Sequence, residues 1–296
     1  MKKIFITTIA FAILLATNTA QAALKTKTQT QNVEKNSFSN TYSVVKFFKE
    51  YENAANNYNH NTINEIYSKD YLNSDGFNKH IIMNVVKDTW KSYPGIKYNV
   101  KINSVNIYND KAIVNVSETA KGYAKTENEN VGEFVSNVQT LYFLKKEDDA
   151  WKITNDNTIK EQVRVSWGDA KYATISLDVP LQLSAGQEYI AKLTLEKPKN
   201  ILAIGSITSE KITYPQKPTK EIFRKFSQDG IIERIMKTNT DSVNEFVSAT
   251  VGFSRPTLDE NQKLNVKLTG YACVIERLHV VPINKYIELN ENKEQK

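Results

Sequence analysis

A carboxyl group held in an apolar setting beside a phenol can move a proton near neutral pH, because burial raises its pKa toward the working range. The segment AIVNVSETAKGY, residues 112–123, offers one such group. Strand alternation places Ala112, Val114, Val116 and Glu118 on one face, and Ile113, Asn115, Ser117 and Thr119 on the other. Glu118 is the one carboxylate in line with an apolar set, although a strand-end Glu facing solvent is the plainer reading of the same pattern. Aromatic residues gather nearby in the pattern. Tyr51 and Tyr58 fall on the apolar face of a first helix, Trp90 on that of a third, and Tyr142 and Trp151 flank an acidic turn. Tyr51, Tyr58, Trp90, Glu118 and Tyr142 are therefore the candidate lining of a site for a small organic or glycan-like ligand. The competing reading is ordinary core packing, and the hairpin LYFLKKEDDAWKITND is read first as an element that closes a core.

No catalytic residue is expected. Asp148 and Asp156 sit near turns, where acids face water, His60 lies in a helix-to-helix connection, and His80 is near a helix start. The chain has three histidines and one cysteine, scattered without ligand spacing, so neither a metal nor a cofactor is expected. Cys273 stands among apolar neighbours and reads as a buried, inert thiol. A single cysteine excludes an intrachain disulfide.

The elements that must position these residues follow from period and punctuation. NTYSVVKFFKEYENAANNY repeats apolar residues at helical spacing, with Asn40 or Thr41 as cap. NTINEIYSKDYL gives a shorter helix, and FNKHIIMNVVKDTWKSYPG a third that stops at Pro94-Gly95. The period then becomes two. Four strand candidates run to about Val165, with a phase slip near Asn103-Ser104 that reads as a bulge. This is an α+β block with helices packed on one face of an antiparallel sheet. From about Asp169 the strands continue with Pro180 at an edge and Ala185-Gly186 at a turn, and they suggest a sandwich of roughly seven strands. TKEIFRKFSQ is the one helical candidate there.

The start, MKKIFITTIAFAILLATNTAQAALK, has two lysines, an apolar run from Ile4 to Ala16 and small residues at Ala20 and Ala22. That run is short of the roughly 20 residues a membrane span needs, so a signal peptide cleaved after Ala22 is expected, with a periplasmic or secreted product. The resulting plan is a signal peptide at 1–22, a flexible leader at 23–39, an α+β domain at 40–168, a β-sandwich at 169–283 and a polar tail at 284–296. The formal charge of +6, with acids and bases interspersed, gives no footprint for nucleic acid.

The helix VVKFFKEYENAANNYN, the short helix INEIYSKDYL and the hairpin VQTLYFLKKEDDAWKITNDNTI resemble, in order and character, the nuclear transport factor two-like (ketosteroid isomerase-like) superfamily over about Asn40 to Val165. The resemblance implies a cone of three helices on a strongly bent sheet, enclosing a cavity. The segment LDVPLQLSAGQEYIAKLTLE is similar to the first hairpin of immunoglobulin-like sandwiches in exported bacterial proteins, without their two-cysteine pattern. Together these imply an exported, non-enzymatic two-domain binding or assembly protein of the bacterial envelope. Its partners would be a small organic ligand, a second copy or an envelope protein. The alternatives are an isomerase, dehydratase or hydrolase using the cone cavity, and a component of an envelope secretion system.

Overall fold

A computed structural model of the chain describes residues 30–125, 131–258, 260 and 262–283. The expected signal peptide and polar tail lie outside the described residues. The described chain is mostly antiparallel sheet with three α-helices, and it divides into two compact units. The first holds residues 30–122 and 136–159, the second 123–135 and 160–283. The division falls inside strands, at residues 122/123, 135/136 and 159/160.

In the first unit α1 (Thr30–Asn56) presents Val44, Phe47, Phe48, Tyr51, Ala54 and Ala55 as a buried face. It starts ten residues before the expected cap, so residues 30–39 of the expected flexible leader are helical. No glycine or proline interrupts that polar stretch, and extending an existing helix costs little per residue. The helix ends two residues before Tyr58, which is a correction to its placement on the helical face. Tyr58 takes φ 55° in the turn that follows, where its N–H bonds the Ala55 carbonyl at 3.3 Å. Next, α2 (His60–Ile66) is capped by Asn59, whose side chain accepts from the Thr62 N–H at 3.1 Å. Asn78 caps α3 (Lys79–Ser92) in the same way through the Ile81 N–H, and Gly95 at φ 82° turns the chain into the sheet.

The four strands are β1 (Lys97–Tyr108), β2 (Lys111–Lys125), β3 (Val131–Glu147) and β4 (Ala150–Gly168), neighbours in that order. The β1–β2 register slips between Ile102 and Ser104, as the sequence phase implies. Asp148 and Asp149 join β3 to β4 with φ 49° and 61°, the two positive values that a tight hairpin turn requires and that aspartate tolerates. Trp151 then fastens the hairpin to α1, its indole N–H donating to Ser43 Oγ at 2.8 Å.

In the second unit a short 3-10 turn (Asp169–Tyr172) follows Gly168. Gly168 has φ 59°, and a Cβ there would stand 2.1 Å from the Thr269 carbonyl oxygen, so only glycine fits. Ten strands follow: β5 (Thr174–Asp178), β6 (Gln182–Ser184), β7 (Glu188–Glu196), β8 (Leu202–Lys211), β9 (Arg224–Lys225), β10 (Ile231–Lys237), β11 (Glu245–Ser254), β12 (Thr257–Leu258), β13 (Leu264–Asn265) and β14 (Leu268–Val281). The end of β4 pairs with β14, which continues to β11, β8 and β9, while β10, β7 and β5 form a second sheet. Leu193, Leu195 and Ile232 of the second sheet share one core with Ile207, Val251, Phe253 and Val274 of the first. TKEIFRKFSQ is not helical: Arg224–Lys225 adds to the edge of β8, and of its apolar residues Phe226 packs against the core while Ile222 and Phe223 stay exposed. Cys273 is 4% exposed and burial pushes its thiol up to about 12.

Candidate functional site

Ala112, Val114 and Val116 are buried along β2, and Glu118 continues their face into the first unit. Tyr142 comes from the matching face of β3, between buried Thr140 and Leu144. Its hydroxyl donates to Glu118 Oε1 at 2.5 Å. Tyr51 reaches the same point from α1: its ring lies 6.3 Å from that of Tyr142, and its hydroxyl is within hydrogen-bonding reach of the Tyr142 hydroxyl. The three form a relay of two phenols ending on a carboxyl.

Glu118 is half-buried and enclosed by protein on its inward side. Desolvation raises its carboxyl to about 7, against a smaller lowering by the Tyr142 hydroxyl. Tyr51 and Tyr142 are held well above the ordinary phenol value, first by burial and then by the Glu118 charge. They stay protonated and can only give hydrogen bonds to an anion. The carboxyl is the group that titrates.

Tyr58 and Trp90 are brought together, with ring centroids 5.2 Å apart, but both are half-buried and they form a second aromatic group. Tyr58 donates to the Ile96 carbonyl at 3.1 Å, and Lys97 Nζ lies 6.0 Å from its ring centre. Tyr98 links the two groups: its hydroxyl lies against Trp90, and its pKa is raised first by burial and then by Tyr58 and Glu118. The sequence signal for Tyr98 was available, since it alternates with Val100 and Ile102 along β1.

Asp156 corrects the expectation of a solvated turn acid. It is fully buried, and Tyr71 donates to its Oδ2 at 2.5 Å. Burial along β4 runs Trp151, Ile153 and then Asp156, Thr158, so the inward phase shifts by one residue between them. Strict alternation from Trp151 would point Asp156 outward. Tyr67 packs edge-on against Tyr71 at 4.9 Å, and the Asp156 and Glu118 charges both raise its hydroxyl after burial itself. Tyr67, Tyr71 and Asp156 thus share the electrostatic neighbourhood of Glu118. Tyr67 continues the inward face of Ile63 and Ile66 at the end of α2, while Tyr71 lies beyond it, where no period marks a face. His60 and His80 do not enter this cluster: His60 opens α2, and His80 contacts Asn84 on the outer side of α3 at 3.2 Å.

A carboxyl that titrates near 7 beside phenol donors can exchange a proton with a polar group brought against it. The chain matches no family model and no curated protein. It is partly similar to several solved structures. Bd1075 of Bdellovibrio bacteriovorus matches at 16% identity and a TM-score of 0.35, over 44% of this chain and 42% of that one. A type 2 hexachlorocyclohexane dehydrochlorinase, LinA, matches at 10% identity and 0.36, over 42% of this chain and 87% of its own. An LEH-like epoxide hydrolase of Mycobacterium tuberculosis matches at 11% and 0.29, over 40% and 83%.

Proposed function

We propose that the chain is an exported two-domain protein whose first unit, a cone of the nuclear transport factor two-like type, binds a small organic molecule against Glu118. The second unit, on this reading, is an immunoglobulin-like sandwich that serves binding or assembly at the bacterial envelope. The observation that carries the site is the Glu118 carboxyl, enclosed yet still accessible, with the Tyr142 hydroxyl 2.5 Å away and a pKa of about 7. A group that is half ionised at neutral pH accepts from a ligand donor in one state and donates in the other. The apolar strand residues and phenols around it favour a neutral, mostly apolar ligand with one polar group.

The test is native mass spectrometry of the protein purified from its own cells, followed by titration of the recovered ligand. A stoichiometric adduct bound about tenfold more weakly by Glu118→Gln supports the reading. A protein that carries no adduct, or an adduct indifferent to Glu118→Gln and Tyr142→Phe, overturns it.

A second reading is an isomerase, dehydratase or hydrolase that uses the same carboxyl as general base. It is favoured by the match between a pKa near 7 and proton transfer at neutral pH. It differs in outcome: Glu118→Gln would then abolish turnover of the recovered ligand while leaving the adduct detectable. The envelope secretion-system reading rests on the sequence resemblance alone.

A further inference from the structure

The second sheet of the second unit ends on β10, and β10 has the makings of a self-complementary edge. Its register to β7 is antiparallel, with Ile231 opposite Thr194, Glu233 opposite Lys192, Ile235 opposite Ile190 and Lys237 opposite Glu188. Two hydrogen bonds at the ends of this pair fix which residues face β7. The Leu195 N–H donates to the Gly230 carbonyl at 2.8 Å, and the Thr238 N–H donates to the Gln187 carbonyl at 3.0 Å. Even-numbered residues therefore bond to β7. In an antiparallel ladder the alternate residues turn their main-chain groups the other way. Glu233, Ile235 and Lys237 thus present their N–H and C=O groups to the open edge, while Ile231 is already closed at 3.1 Å by the Ser227 N–H.

The same three residues share the solvent face. Ile235 is 74% exposed, and Ile190 beside it on β7 is 57% exposed. On the opposite face Ile232 is buried and Met236 packs against the core. The solvent face is therefore striped. An isoleucine row crosses its middle, a Lys237–Glu188 row lies on one side, and a Glu233–Lys192–Asp178 row lies on the other.

We infer that β10 is a dimerisation edge, and that its occupant is β10 of a second copy of this chain, antiparallel about a two-fold axis at Ile235. In that register Ile235 meets the partner's Ile235, and Glu233 meets the partner's Lys237 on both sides of the axis. All three are residues whose main-chain groups point outward, so the pairing closes about six hydrogen bonds without changing the β10–β7 ladder. Each charged row then alternates across the joint sheet: Asp178, Lys192, Glu233, the partner's Lys237, the partner's Glu188. The isoleucine stripe becomes four residues wide.

Charges on an edge strand commonly act to prevent pairing. Here they discriminate between registers. A shift by two residues sets Ile235 against the partner's Lys237 or Glu233, a shift by four sets Lys237 against the partner's Lys237 or Glu233 against the partner's Glu233, and a shift by one exchanges the faces. The other edge of this sheet, β5, exposes Thr174, Ser176 and Asp178 and carries one sign of charge, so it has no matching self-complement. A two-fold pairing through β10 closes on itself and does not build a filament.

Sedimentation equilibrium of the full chain is the test, with Glu233→Lys and Lys237→Glu. The wild type is expected to be a reversible dimer. Each single variant places two like-charge pairs across the axis and should associate about tenfold more weakly. An equimolar mixture of the two variants restores both Glu–Lys pairs and should form a heterodimer of wild-type strength. This recovery also shows that each variant is folded. A monomeric wild type, a dimer indifferent to both substitutions, or a mixture no stronger than its components overturns the inference. None of these outcomes bears on the Glu118 site.

Discussion

At Glu118 the cost of enclosing a carboxyl can be followed as a proton equilibrium. Its pKa rises from an ordinary 4.5 to about 7 in the folded chain, chiefly through desolvation. The folded state then holds the proton more tightly than the unfolded chain. The favourable contribution is complete below pH 4.5 and is lost as pH rises through 7. The shift corresponds to at most about 3 kcal/mol, less to the extent that water reaches the carboxyl. Glu118→Gln keeps the shape and an acceptor for Tyr142 but removes the titration. Its stability relative to wild type should climb between pH 4.5 and 7 and stay flat on either side, as read from urea midpoints across that range. A difference independent of pH would place Glu118 in ordinary solvent. At this scale the sequence was informative where alternation is regular: Glu118, Tyr142 and Tyr51 do meet. It was silent on Asp156, because the polar run Thr154–Thr158 has no apolar alternation to mark the shift in strand phase there, and on Tyr71, which follows a helix end.

The elements themselves were more legible than their limits. Helical period and strand alternation carry through to the fold, because each is set by local chemistry, whereas the caps at Asn59 and Asn78 were not read from the pattern. What the pattern could not give was the start of α1, where nothing apolar marks the boundary, and the character of residues 219–228, whose fate depends on the free edge of β8. Gly205 on β8 shows how tertiary packing selects a residue. A Cβ at this position would meet Phe226 Cζ at 2.8 Å, Ile232 Cδ1 at 2.9 Å and Leu193 Cδ2 at 3.0 Å. The two sheets approach this closely only across a bare backbone. Gly205→Ala should overpack the shared core and lower stability by about 1–3 kcal/mol, measured by chemical denaturation. An unchanged midpoint would mean that all three side chains can yield at once.

Across the whole molecule, order depends on pairing strands far apart in sequence. β14, the last strand described, docks between β4 and β11, and a buried ion pair fixes where it lands. Arg277 Nε donates to Glu161 Oε2 at 3.2 Å with both side chains fully buried, and the guanidinium stacks 5.4 Å from the Phe246 ring centre. Such a pair contributes little net stability, because removing two charges from water offsets their attraction. Losing one partner is a different matter, since the remaining charge stays buried. Arg277→Met should therefore cost about 3–5 kcal/mol, and adding Glu161→Gln should recover most of that loss. The coupling energy from the four denaturation curves decides between two roles. A large value means that the pair sets the register of β14 against β4 and rejects slipped alternatives. If the losses simply add, the aliphatic strand face alone holds β14, and the ion pair is incidental to the fold.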